Sequence, residues 1–291
     1  MNSPYLTPGT GTRQPLIVIS RCCGLIMLVA ASVLTLTAAS SPDSSHPPDR
    51  IPAKVFVEGE ELVYNVRYGF IDLGQIRIVS GKKTREGGAT VQEGNAVIQS
   101  YRGVPFVDLH AVYQSRFDST GFSRYFLGKS RENESWSFAE YFFQYDLNRV
   151  VMKVGSVENV TDRIDTMALE ARYNDGLSLF YYAREKLYAG TPMEIPTVVK
   201  EKKGITYIDF NGERGSVDSD FITYPIDVIG FNGRAGFVGL FGLTGDFEGW
   251  FSNDEARVPI KANMEVIIGS VTLELVSWKR GGWAPPRAPE D

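Results

Sequence analysis

A chain of 291 residues that is 43% hydrophobic and 12% aromatic can bury one large core or two small ones. Its 35 acidic residues outnumber 30 basic ones, which argues against the basic footprint that nucleic-acid binding needs. Both cysteines, Cys22 and Cys23, lie close to the N-terminus, so the remainder offers no disulfide, thiolate metal site or cysteine nucleophile.

Residues 1–40 read as a signal peptide. Arg13 and Arg21 are the only charges there, and the run CCGLIMLVAASVLTLTAAS from Cys22 to Ser40 ends in small residues, which places cleavage near Ala39 or Ser40. An uncleaved anchor is the alternative, since about 18 apolar residues is the lower edge of a membrane span. The cysteines open the apolar run rather than follow it, which does not match a lipoprotein attachment site. The expected product is exported to the periplasm or cell envelope of a Gram-negative bacterium. Residues 41–53, with Pro42, Pro47, Pro48 and Pro52, form a disordered Pro/Ser linker too poor in apolar side chains to pack. A single β-rich domain is expected over 54–280, followed by a Pro-rich disordered tail over 281–291.

Strand signals dominate that domain. Leu62, Tyr64, Val66 and Tyr68 alternate with Val63, Asn65 and Arg67, the period of two that turns one set toward a core. After a turn between Gly69 and Gly74, the pattern returns at Gln75 to Ser80 with Ile76 and Ile78. It recurs at Ala96 to Tyr101, Leu109 to Phe117, Tyr141 to Tyr145, Val150 to Val154, Ile205 to Phe210 and Ile222 to Ile229. Short turn signals between these segments predict an antiparallel meander. From Asp175 to Tyr188, Leu177, Phe180, Tyr181, Arg184, Leu187 and Tyr188 recur at helical steps, with Asp175 as N-cap and Gly190 and Pro192 as the stop. The fold class is therefore mainly β: a large antiparallel curved sheet, half-open barrel or sandwich, with one main helix packed on it. Arg184 falls on the apolar stripe of that helix. It either snorkels or is buried against a carboxylate such as Asp175 or a ligand anion, because an unpaired buried charge is too costly to keep.

Catalytic constellations are sparse. His110 is the one imidazole in the folded part and sits in a predicted strand, where a structural role is the ordinary one. No nucleophile elbow, zinc helix or phosphate loop occurs. Asp218 and Asp220 lack the glycine and terminal glutamate of a calcium loop and read as a solvated turn. No catalytic residue, metal or cofactor is expected, and the chain reads as a non-enzyme.

Aromatic residues carry the positive signal. Tyr141, Phe143 and Tyr145 on a strand, with Phe180, Tyr181 and Arg184 on the helix, either build a thick core or line a ligand site between sheet and helix. A second group follows Gly230 in a run with glycine every third residue, GFNGRAGFVGLFGLTGD. There Phe231, Phe237, Leu240 and Phe241 are candidates for contact with a partner or a membrane surface, unless they fold back onto the sheet. Near the C-terminus, Trp250 starts a strand, Asp254 is placed to accept backbone N–H groups or pair with Arg257, and Pro259 confines the next strand to an edge or a first-residue position. These four residues form a structural motif.

GEELVYNV at Gly59 to Val66, DGLSLFYYAR at Asp175 to Arg184, and WFSNDEARVPIKA followed by IIGSVTLEL resemble the exported bacterial family called domain of unknown function 3108. The resemblance runs from Lys54 to Trp278. Its most specific pieces are W-x-S-x-D-x-x-R-x-P, matched by Trp250, Ser252, Asp254, Arg257 and Pro259, and D-x-x-S-x-x-Y-Y-x-R, matched by Asp175, Ser178, Tyr181, Tyr182 and Arg184. It implies an envelope location and an antiparallel fold similar to the half-open barrels that carry lipids or lipoproteins, and it supplies no catalytic residues. The functional expectation is a non-enzymatic binder of an apolar or amphipathic envelope molecule. The alternatives are a protein-interaction or scaffold module of the envelope and a carboxylate-dependent hydrolase of envelope polysaccharide.

Overall fold

The computed structural model describes residues 54–290 apart from 87, 105–107, 133, 158–159, 237–242 and 267–268. The signal-like segment and linker lie outside the described residues, as do Phe237, Leu240 and Phe241. The first half of the domain holds β1 (Glu61–Tyr68), β2 (Ile71–Glu86), β3 (Ala89–Ser100), β4 (Leu109–Asp118), β5 (Ser123–Glu132), β6 (Ser135–Gln144), β7 (Arg149–Gly155) and β8 (Arg163–Ala168). Helix α1 (Gly176–Lys186) follows. The second half holds β9 (Pro192–Val199), β10 (Lys202–Asp209), β11 (Arg214–Val217), β12 (Ile226–Ala235), β13 (Leu243–Ser252), β14 (Pro259–Val266) and β15 (Ser270–Lys279).

All fifteen strands join one antiparallel sheet in the order β8-β7-β6-β5-β4-β3-β2-β1-β15-β14-β13-β12-β10-β9, with β11 beside β12. Two meanders thus meet at the β1–β15 seam, where Leu62 stands opposite Trp278 and Val66 opposite Leu273. The sheet is curved and not closed, as expected for a half-open barrel. Its two edge strands, β8 and β9, are consecutive in the chain, so the segment carrying α1 has to cross from one edge to the other. On the way, Tyr173 accepts the Ser123 N–H at 3.0 Å, Asn174 donates to the Pro196 carbonyl at 2.9 Å, and Val198 N–H donates to the Asn174 carbonyl at 2.8 Å.

Both ends of α1 are pinned. At the start, Asp175 Oδ1 accepts the Leu177 and Ser178 N–H groups at 2.8 and 2.9 Å, and Ser178 Oγ accepts the Asp175 N–H at 2.9 Å, a reciprocal capping box. The other oxygen, Oδ2, accepts the hydroxyls of Ser115 on β4 and Ser123 on β5 at 2.6 and 2.7 Å, so the cap also fastens the helix to the sheet. Midway, the rings of Tyr181 and Tyr182 come down onto Gly94 and Gly121. A methyl group at Gly94 would stand 2.6 Å from Tyr181 Cε2, which only glycine allows without moving the helix.

The far end is held by arginine. Arg184 is fully buried, and the partner is Glu60 rather than Asp175: Nη1 and Nη2 donate to the two Glu60 oxygens at 2.8 and 2.9 Å. Nη2 and Nε also donate to the carbonyls of Ala256 and Arg257 at 2.9 and 3.1 Å. Arg257 answers in kind, its Nη1 donating to the carbonyls of Arg184 and Glu185 at 3.2 and 2.8 Å, where α1 leaves its last carbonyl groups unpaired. Arg280 adds a second guanidinium to Glu60 Oε1. In the turn before β14, Asp254 Oδ1 accepts Ser252 Oγ, Ala256 N and Arg257 N at 2.8–3.0 Å. The side chain of Arg257 goes to the helix, and Pro259 takes the first position of β14.

One open choice is decided and one expectation changes. At Phe231 the glycine-spaced run folds back onto the sheet: Gly230 to Arg234 are strand residues of β12 paired with β13, and Phe231 packs on Phe210, Phe247 and Phe251. The tail over 281–290 is docked rather than frayed. Trp283 Nε1 donates to Asp254 Oδ2 at 2.7 Å, Asp227 N–H donates to the Pro286 carbonyl at 2.9 Å, and the Arg287 guanidinium lies 3.9 Å from the Tyr224 ring centroid. Proline-rich chain needs no partner for its missing N–H groups, so it packs wherever rings and carbonyl acceptors are already fixed.

Gly94→Ala should cost about 1–3 kcal/mol by overpacking, read as a lowered urea midpoint at unchanged slope. Arg184→Met should cost about 3–5 kcal/mol, because Glu60 would stay buried with half its partners gone; an unchanged midpoint would remove the ion pair from the stability of the fold. Burial pushes the Glu60 carboxyl up, but the charges and hydrogen bonds of Arg184 and Arg280 outweigh it and hold the carboxyl below its usual range. Its contribution is therefore present above the ordinary carboxylate pKa of about 4.3 and is lost as pH falls through the depressed folded value. Between about pH 6 and about pH 3, Glu60→Gln should flatten the loss of stability seen in the wild type, as measured by denaturation at each pH.

Candidate functional site

Pinned at both ends, α1 bridges the concave face of the sheet and leaves a hollow of about 220 Å³ beneath it. Gly176, Leu177, Leu179, Phe180 and Ala183 of the helix form its roof. Ile76, Ile78, Ala96 and Tyr113 from β2 to β4 form one wall, and Ile208, Phe231, Phe247, Phe251, Met264 and Leu273 from the second meander form the other. The local sequence explains the apolar lining: in β2 the buried set Gly74, Ile76, Ile78 and Ser80 alternates with exposed or half-buried neighbours, so the inward face is set by the period of two.

Polar groups are few. Thr197 Oγ1 donates to the Ile195 carbonyl at 2.9 Å and accepts the hydroxyl of Thr206 at 3.0 Å. Among the described residues, Lys261 is the one charged side chain on the lining. Tyr64 also lines the hollow, and its buried hydroxyl meets no hydrogen-bond partner among the described residues. Burial pushes the Tyr64 phenol far up, against the pull of Arg184.

A smaller void of about 80 Å³ adjoins the first through Tyr113, Gly176 and Val199. Tyr141 belongs to that space, where its hydroxyl donates to Glu201 Oε1 at 2.8 Å.

The residues singled out from sequence separate into four groups. Phe180 and Phe231 line the main hollow and Tyr141 the smaller one. Phe143 and Tyr145 stack on each other with ring centroids 6.1 Å apart in a cluster with Leu169 and Tyr173, and line neither space. Tyr181 is core: its ring stacks on Phe117 at 4.8 Å and its hydroxyl pairs with Ser80 Oγ at 3.1 Å. Arg184 stands behind the roof, its guanidinium carbon 5.3 Å from the Phe180 ring centroid. Tyr64, Ile208, Met264 and Leu273 were not singled out. The alternation in β1 already puts Tyr64 in the inward set, but only the fold brings β10 and β14 to the same space.

Among the described residues, no three His, Cys, Asp or Glu side chains group as metal ligands, and no helix is long and apolar enough to cross a membrane.

Comparison with a solved β-barrel-like protein supports the architecture. A β-barrel-like protein of domain of unknown function DUF1849 from Brucella abortus is similar over 77% of this chain and 98% of its own, at 12% identity and a TM-score of 0.53. A candidate exported protein with a YmcC-like fold from Bacteroides fragilis covers 79% of this chain and is itself fully covered, at 6% identity and a TM-score of 0.29. A candidate lipoprotein from Parabacteroides distasonis covers 77% of this chain with 97% of its own length, at 7% identity and a TM-score of 0.32. No curated protein matches the chain. The model of a family described as protein of unknown function (DUF3108) matches residues 63–276, the stretch from β1 to β15 that carries the seam, the pinned helix and the arginine exchange, and the chain belongs to that family.

Proposed function

We propose that this protein is a non-enzymatic binder of an apolar or amphipathic molecule of the cell envelope, held between α1 and the concave face of the sheet. The observation that carries the reading is the hollow itself. An apolar cavity of about 150 Å³ is already large enough to stay dry and take up benzene, so about 220 Å³ accommodates a ring or a length of alkyl chain. The hollow is partly open to solvent, so an apolar occupant gains by covering its apolar lining, at about 25 cal/mol per Å² removed from water. The lining also supports binding over chemistry: among the described residues it carries hydroxyls and one ammonium, with no imidazole or carboxylate to move a proton. The basic, apolar and small-residue layout of residues 1–40 supports export to the envelope.

Protein purified from its own envelope should release a bound apolar molecule on solvent extraction and show the matching mass shift by native mass spectrometry. Ala183→Leu, which places three carbons into the roof, should reduce the retained molecule at least about tenfold while keeping or raising the melting temperature, because it fills space the wild type leaves open. A wild-type protein that carries nothing and takes up no fluorescent apolar probe would overturn the reading.

A further inference from the structure

Among the described residues, the most exposed large apolar side chain stands at one corner of the sheet. Phe70 is 94% exposed at the apex of the β1–β2 hairpin, and Tyr68, Ile71 and Tyr101 are exposed at the same corner. Tyr68 and Ile71 are the last pair of the ladder, so Gly69 and Phe70 alone turn the chain. The left-handed Gly69, at φ 57°, serves that turn, and nothing in the backbone asks for an aromatic ring beside it. One exposed ring on a surface needs no account. A ring at a turn apex with three exposed apolar neighbours does, because turn positions are ordinarily polar and the ring gives the fold no burial.

Polarity is layered along the strand axis below that apex. Both tyrosines turn their hydroxyls back to the protein: Tyr101 donates to Asn65 Oδ1 at 3.1 Å, and the Tyr68 hydroxyl lies against Gly269. Beneath them runs a charged network. Asp72 Oδ1 accepts Asn65 Nδ2 at 2.6 Å and Arg67 Nε at 3.1 Å, and Arg67 Nη1 donates to Asp220 at 2.6 Å. Apolar apex, tyrosine collar and charged base follow the order in which a bilayer passes from hydrocarbon through the interface to water. A protein–protein interface instead centres its apolar residues on a face and rims them with polar ones. Here they cap an end.

That end is also where the cavity approaches solvent. Register carries it from Gly74 and Ser100 through His110 and Arg131 to Trp136, next to the exposed Ser137 that lines the smaller void with Lys200. The chain has 35 acidic residues against 30 basic ones, so attraction to anionic lipid is not what would hold it, and apolar insertion is.

We propose that the Tyr68–Ile71 hairpin tip, together with Tyr101, is a membrane-docking surface that inserts Phe70 into the outer part of a lipid leaflet. This goes beyond the cavity reading and does not rest on it.

Full-length Phe70→Trp and Leu147→Trp are mixed with phosphatidylcholine vesicles, with and without brominated acyl chains, and the emission of the wild-type tryptophans is subtracted. Leu147 is the control, an exposed apolar residue between β6 and β7 at the opposite end of the sheet. The indole added in Phe70→Trp should shift to shorter wavelength and lose intensity to the brominated chains, and that in Leu147→Trp should do neither. Both variants should melt with the wild type, since both positions are exposed. Emission from Phe70→Trp that stays unshifted and unquenched overturns the docking surface, as does equal quenching of the two variants. A shift that needs no vesicles and grows with protein concentration assigns the tip to a second copy of the chain and overturns it too. Quenching of Phe70→Trp alone, in a protein that retains no apolar molecule, leaves the docking surface standing and removes the cavity reading.

Discussion

Arg184 and Arg257 exchange hydrogen bonds across the end of α1, each guanidinium capping the carbonyls next to the other residue, and both arginines are almost completely enclosed. Burying a guanidinium is costly unless its charge and its N–H groups are met. Here Arg184 makes four hydrogen bonds, two of them to the carboxylate of Glu60 in the fork-to-fork geometry that suits arginine and not lysine. The joint draws on four separate stretches of chain: Glu60 before β1, the last turn of α1, the turn at Ala256 and Arg257, and Arg280 after β15. Removing any one leaves a buried charge or carbonyl without its partner. The two motifs that carry the family resemblance are thereby the two sides of one structural contact.

Fixing α1 at this end, and at Asp175 on β4 and β5 at the other, has a mechanical result. A helix free to settle would collapse onto the sheet and close the space below, as cores do when a large side chain is removed and the surroundings can relax. This one is seated by Leu177, Tyr181 and Tyr182, the two tyrosine rings resting against glycines, and it spans a gap along Phe180 and one side of Ala183. Antiparallel strands with right-handed twist curl the sheet, and the two meanders bring distant strands such as β2 and β14 to opposite walls of the same hollow. The cavity is a product of rigid supports rather than of missing atoms at one position.

Much of this architecture was legible in the sequence because it rests on local periodicity. The alternation of Leu62, Tyr64 and Val66 places β1, and the helical stripe from Leu177 to Leu187 with Asp175 ahead of it places α1 and its cap. Long-range pairing was not legible. Arg184 stood out as a charge on an apolar stripe, but its partner lies 124 residues earlier in the sequence, and no spacing rule links the two. The glycine run left two readings open for a physical reason: a three-residue spacing has no meaning in a strand of period two, and a Cβ at Gly233 would meet the Tyr207 backbone oxygen as well as the Phe247 ring, the ring at 2.5 Å. The Pro-rich tail carried the composition of a frayed end, and its docking depends on Asp254, Pro225 and Tyr224, which only the folded sheet brings within reach.

Rigid supports also limit what such a cavity could discriminate. An apolar wall alone discriminates weakly, since one methylene more or less changes affinity by only about 1–3 kcal/mol. Tyr64 is held in the wall because its strand lies at the β1–β15 seam, with paired neighbours on both sides. Phe180 is held in the roof because Arg184 locks the helix behind it. The outline of the hollow therefore traces back to the same buried guanidinium that keeps the roof from falling.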